Sequence, residues 1–229
     1  YASLNLHIDI VVYRKSGDNY ELAVGKRNSG DAVKAWSPSD PKGLIDNIND
    51  KSSYVYIGSS EDKLCQYKRL VRYMKRWRDE KFEDSVRKKV YSIGITVMLK
   101  EQFIPVLNED GKPDDLQALR DTVAAILTGG YFIPLVDGNY RVKVELPVMP
   151  YRDIFDGSSA ATGTQLWNKL NTVLRKLDKA LVEESLKKQC NILRELFGDN
   201  FETAEDGNRN ESAKVAYSSA GSVGTSQGA

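Results

Sequence analysis

The chain has 229 residues, 41% of them hydrophobic and 28% charged, which is ordinary for a soluble protein and ample for one large domain or two small ones. Lys and Arg (33) balance Asp and Glu (32), so no net field draws a polyanion, and any such affinity must come from a local cluster. A lone histidine and two distant cysteines exclude a zinc site and do not support a disulfide framework; no signal peptide is expected, these residues hold no apolar run near the roughly 18 residues a membrane span needs, and the expected setting is a reducing cytoplasm.

Residues 3–13 read as a β-strand running into a turn at Ser16-Gly17-Asp18-Asn19. Alternation puts Leu4, Leu6, Ile8 and Ile10 on one face and Asn5, His7 and Asp9 on the other. A carboxylate standing mid-strand needs a cation, a metal or several N–H donors as partner. From the strand alone, Asp9 is either a functional acid or a hydrogen-bonded structural one near a sheet edge. Residues 19–26 supply a hairpin partner. After the Trp36-Ser37-Pro38-Ser39-Asp40-Pro41 segment a helix is predicted over 41–50, capped by Ser39 or Asp40 with Pro41 in its first turn. The boundary between a strand-bearing part and a helical part is placed near Trp36.

The clearest helix is 61–82. Leu64, Tyr67, Leu70, Val71, Met74 and Trp77 recur at three- and four-residue steps and cover an arc of roughly 140°. Its other side carries Lys68, Arg69, Arg72, Lys75 and Arg76. Lys75 lies at the margin of the apolar stripe, where packing can half-hold a cation against a phosphate. Residues 92–99 fit strand or helix. A helix is predicted over 114–128, stopped by Gly129-Gly130. Residues 131–136 and 140–146 form a hairpin or extended arms. Helical periodicity returns from Thr164, with a break near Val182-Glu183, and runs to Gly198. Beyond about Phe201 too few apolar residues remain to offset chain entropy, and a disordered tail is expected.

Three blocks, Leu6-His7-Ile8-Asp9-Ile10-Val11-Val12-Tyr13, Trp36-Ser37-Pro38-Ser39-Asp40-Pro41-Lys42 and Arg72-Tyr73-Met74-Lys75-Arg76-Trp77-Arg78-Asp79 followed by Ser92-Ile93, together resemble the cGAS/DncV-like nucleotidyltransferases. These bacterial enzymes make cyclic di- and trinucleotides in antiphage signalling (CBASS). The resemblance implies an α+β fold: 1–35 as the C-terminal strands of a polymerase-β-like nucleotidyltransferase palm, 36–200 as a mostly helical poly(A)-polymerase/oligoadenylate-synthase-like domain, and 201–229 as a flexible tail. It further implies two-metal chemistry with Mg²⁺, or Mn²⁺ in its place, on ATP, GTP or another nucleoside triphosphate. Asp9 would be the third metal-binding, catalytic acid. Lys75 would grip the triphosphate and Ser92 would hydrogen-bond it. Arg78 and Asp79 are read as structural, Arg78 as buried and paired, and His7, Trp36 and Asp40 as architectural. Asp153 is either an approach to a nucleobase or a solvated loop acid.

The family's first two acids and its Gly-Ser phosphate loop precede the third-acid strand, and these residues contain neither. Asp18, Asp31 and Asp46 stand in no Asp-x-Asp pair preceded by Gly-Ser, and Asp153 and Asp156 are equally unsuitable. The chain is therefore expected to be the C-terminal portion of a cyclic oligonucleotide synthase, inactive without the missing N-terminal half. A second reading makes Gly228-Ala229, on its small-residue tail, the substrate of an E1/E2-like conjugating enzyme that regulates the synthase. A third is an RNA- or DNA-binding nucleotidyl-adding relative using the basic face of 61–82. Against it, basic residues elsewhere are interspersed with acids. No membrane partner is expected.

Overall fold

The computed structural model describes residues 11–25, 30, 31, 34–50 and 60–203, with side chains described from Cys65 onward in the helix that begins at Ser60. Asp9 and His7, like the tail beyond residue 203, lie outside the described residues. The described residues form two compact units, one holding those up to Asp50 together with Glu145–Ile154, the other the remainder.

The first unit is built on a three-stranded antiparallel sheet in the order β1 (Tyr13–Ser16), β2 (Asn19–Val24), β3 (Ala35–Ser39). The predicted turn is the two-residue link Gly17-Asp18: Ser16 pairs with Asn19, and Gly17 takes the left-handed φ of 61° that such a link requires. β3 is the strand that sequence reasoning missed. Trp36 pairs with Ala23 and Pro38 with Glu21, so the segment belongs with the sheet and the division falls after Asp50 instead of at Trp36. Its prolines and serines read as loop, yet Pro38 is tolerated because β3 is an edge strand, where a missing N–H breaks no second ladder.

Alternation puts Tyr13, Tyr20, Leu22 and Val24 on one face and Arg14, Glu21 and Trp36 on the other. On that second face Arg14 donates to Glu21 at 2.6 Å, and its guanidinium lies 4.5 Å from the Trp36 ring centre. Helix α1 (Pro41–Asn49) follows. Asp40 caps it, accepting from the Gly43 N–H at 2.8 Å, with Pro41 in the first turn as expected. No described residue of this unit is buried.

The second unit holds the core. Its elements are α2 (Ser60–Lys81), α3 (Asp84–Arg87), α4 (Ser92–Gln102), α5 (Asp115–Thr128), the hairpin β4 (Phe132–Pro134) and β5 (Tyr140–Val142), α6 (Ala160–Leu181) and α7 (Leu186–Phe197). The α2 stripe behaves as its spacing predicts: Tyr67, Leu70, Met74 and Trp77 are buried. The ambiguous segment is helix α4. Gly94 to Leu99 are all buried, so it has no polar face and no helical periodicity to read. Helix α5 starts at the Asp114 cap, and α6 buries Leu166, Leu170, Val173, Leu177 and Ala180. The predicted break is real: α6 ends at Leu181, Ser185 caps α7, and Gly198 (φ 89°) ends it.

Two buried polar contacts fix the packing. The Gln66 amide exchanges hydrogen bonds with the backbone of Val106 (2.9 and 3.1 Å), anchoring the segment between α4 and α5. Arg69 makes a two-pronged ion pair with buried Asp115 (2.6 and 2.8 Å), tying α2 to α5.

Candidate functional site

Two of the three predicted site residues, Lys75 and Ser92, fall in the second unit on helices that pack together, α2 and α4. Lys75 is half-buried, beside Met74 and one turn before Arg78. Its ammonium takes part in no hydrogen bond or ion pair among the described residues. Burial lowers its pKa from the ordinary lysine value; the Arg78 guanidinium lowers it further, and Asp79 offsets part of that. A cation held this way gains from any anion that approaches it.

Ser92 is the first residue of α4. Its carbonyl accepts from the Thr96 hydroxyl at 2.9 Å, while its own hydroxyl is unpaired among the described residues and remains a donor. The residue before it, Tyr91, stands at the N-cap without a side-chain hydrogen bond, so it satisfies none of the first-turn N–H groups.

Ser92 lines an open cleft of about 330 Å³, with Arg78, Arg87, Lys88, Val90, Tyr91 and Ile93 as the other walls. Lys75 is not part of that lining. Arg78 is paired as expected, its Nε and Nη2 donating to Asp79 Oδ1 (2.9 and 2.6 Å) and its Nη1 to the Val90 carbonyl (3.4 Å). It is also a wall of the cleft, which its reading as purely structural did not include. Arg87 and Lys88 are the residues sequence reasoning missed. The signal available was the basic run Arg87-Lys88-Lys89 just before Tyr91-Ser92. Asp153 belongs to the first unit, in a β-bridge with Glu145. Among the described residues no group of three or more His, Cys, Asp or Glu could hold a metal ion, and no helix is long and apolar enough to cross a membrane.

Small antiparallel sheets with a mostly helical body match the nucleotidyltransferase fold. The chain superposes on a mutant of the Vibrio cholerae di-nucleotide cyclase (DncV), solved in complex with ATP, GTP and 5MTHFGLU2, with a TM-score of 0.56 and 18% identity, over 82% of this chain and 42% of that one. In sequence it is 31% identical over 105 residues to a Cyclic GMP-AMP synthase of Escherichia albertii, covering 46% of this chain and 20% of that protein. Together the two matches support a cGAS/DncV-like nucleotidyltransferase. The chain spans less than half the length of either relative. No protein-family model matches it.

Proposed function

We propose that this chain carries the triphosphate-holding part of a cyclic oligonucleotide synthase of the antiphage signalling type, in which Lys75 and Ser92 bind the phosphates of ATP, GTP or a related nucleoside triphosphate. The observation that carries the reading is Lys75: half-buried, lowered in pKa by burial and by Arg78, and in no ion pair among the described residues. An arriving polyphosphate supplies the missing counter-charge. Ser92 adds a hydroxyl donor, and the first turn of α4 adds backbone donors of the kind that favour phosphate. Their part in nucleotidyl transfer is to hold the triphosphate in place and offset its charge while the bond to the α-phosphorus changes.

The family's chemistry also uses divalent metal. The described residues contain no cluster fit to hold one, so no step is derived through it. Asp9 is assigned as a metal-binding acid on the resemblance alone.

Calorimetric titration of ATP and GTP into the full-length protein tests the reading. A charge-assisted phosphate contact is worth about 1.5–3 kcal/mol, so Lys75→Ala should weaken binding about 10- to 150-fold, and Ser92→Ala, which removes a neutral donor, about 3- to 10-fold. Wild-type affinity in a folded Lys75→Ala protein overturns the assignment. Formation of a cyclic product from ATP and GTP, followed by chromatography, tests the synthase activity separately.

A further inference from the structure

Among the described residues, the cleft at the start of α4 contains one cation that is in no ion pair or hydrogen bond. Of its three basic walls, Arg78 is bonded to Asp79 and to the Val90 carbonyl, and Arg87 is bonded to Asp84 at 2.7 Å. Lys88 is exposed, and its ammonium enters no hydrogen bond or ion pair among the described residues. Its backbone, by contrast, is fixed. Lys88 closes α3, donating to the Asp84 carbonyl, and the next two amides, Lys89 and Val90, turn back onto Val86 at 2.8 and 3.1 Å. The stem therefore starts from a set position while the head is free to reach. Among the described residues no carboxylate lines the cleft. The cavity is thus net positive, and the excess charge resides on Lys88.

Ser92 lines the same cavity. We propose that Lys88 is a specificity residue of the nucleotide site: it contacts the outer phosphates of the nucleotide and so selects triphosphate over diphosphate and monophosphate. The proposal rests on the assignment of Lys75 and Ser92 to the triphosphate. A lysine acts on phosphate as a point charge on a flexible stem, so its contribution follows the charge of the ligand rather than the shape of the base. Lys89, its exposed neighbour, carries the same charge but does not line the cleft, and it serves as the control for general surface potential.

The test is titration of ATP, ADP and AMP into the full-length protein and into Lys88→Ala, Lys88→Arg, Lys89→Ala and Lys75→Ala variants, at one fixed salt concentration. Lys88→Ala is expected to weaken ATP about 5- to 20-fold, ADP less, and AMP by no more than about 2-fold. Lys88→Arg should restore most of the loss, and Lys89→Ala should change little. Equal loss for all three nucleotides in Lys88→Ala overturns the proposal, as does a loss no larger than that of Lys89→Ala. If Lys75→Ala leaves ATP affinity intact, or ATP does not bind at all, the underlying site assignment fails. If Lys75→Ala weakens ATP and Lys88→Ala does not, only the role of Lys88 fails.

Discussion

The ion pair between Arg69 and Asp115 allows a quantitative test of what holds α2, the helix that carries Lys75, in place. Asp115 is 4% exposed, and its two oxygens take both prongs of the guanidinium, with the Tyr73 hydroxyl at 3.4 Å from Oδ2. Removing one partner of a buried pair costs about 3–5 kcal/mol, because the other charge is left uncompensated. The two removals are not equivalent here. The Arg69 side chain is 33% exposed and that of Asp115 only 5%. Asp115→Asn strands a cation that still reaches water, so the cost falls below that range, at about 2–3 kcal/mol. Arg69→Met strands a carboxylate that does not reach water. The first-turn position of Asp115 in α5 returns about 0.3–1 kcal/mol through the helix dipole, leaving a cost of about 2–4.7 kcal/mol, centred above that of Asp115→Asn. The double variant Arg69→Met/Asp115→Leu removes both charges and should cost less than either single change. Urea unfolding followed by far-UV circular dichroism and by fluorescence of Trp77 and Trp167, both in the second unit, gives all three values. Asp115→Asn proving as costly as Arg69→Met, or a double variant costing the sum of the singles, would refute the reasoning.

Three further outcomes follow from local geometry. A Cβ on Gly163 would stand 2.2 Å from the Tyr140 carbonyl oxygen and 2.8 Å from the Val142 nitrogen, both backbone atoms, so Gly163→Ala should push α6 off β5 and cost about 3 kcal/mol or more in the same urea titration. A Cβ on Gly43 would meet the Asp40 cap carboxylate at 2.1 Å; Gly43→Ala and Asp40→Ala should each cost α1 about 1 kcal/mol without adding, read from amide exchange at Gly43 and Leu44. Lys75 gives a pH signature. Its folded pKa is lowered, so between that value and the unfolded value of about 10.4 the unfolded chain binds more protons and stability rises with pH. Lys75→Met should flatten that rise in urea midpoints, while ATP affinity of the wild type should fall across the same window as the ammonium is lost.

How much of this was legible in the sequence depended on where each residue's partners lie. α2, α5, α6 and α7 each have one wet face, and their three- and four-residue spacing located them to within a few residues. α4 is buried from Gly94 to Leu99, so its sequence shows no helical periodicity and left strand and helix open. β3 was hidden because Pro38 carries a loop signal, and whether a strand is an edge is decided by its neighbours. Lys75 could be picked out because its position relative to the stripe is a property of one helix. Arg87 and Lys88 offered only a basic run before Tyr91-Ser92, and that they share a cleft with Ser92 and with Arg78 of α2 follows from the turn the chain makes through α3.

The first unit carries the remaining lesson. Large apolar side chains stand open on both faces of its sheet: Tyr13, Tyr20 and Val24 on one and Trp36, beside Arg14 and Glu21, on the other are 37–40% exposed. A small antiparallel sheet is stable only when its apolar face is packed against something, and residues of this size left open mark a surface that another layer would bury. The helical unit, by contrast, encloses Trp77, Leu99, Leu166 and Leu177 fully. The proposed phosphate contacts of Lys75, Lys88 and Ser92 fall on the unit that holds the core, and none of the three is among its buried residues, so their variants can be read against that core.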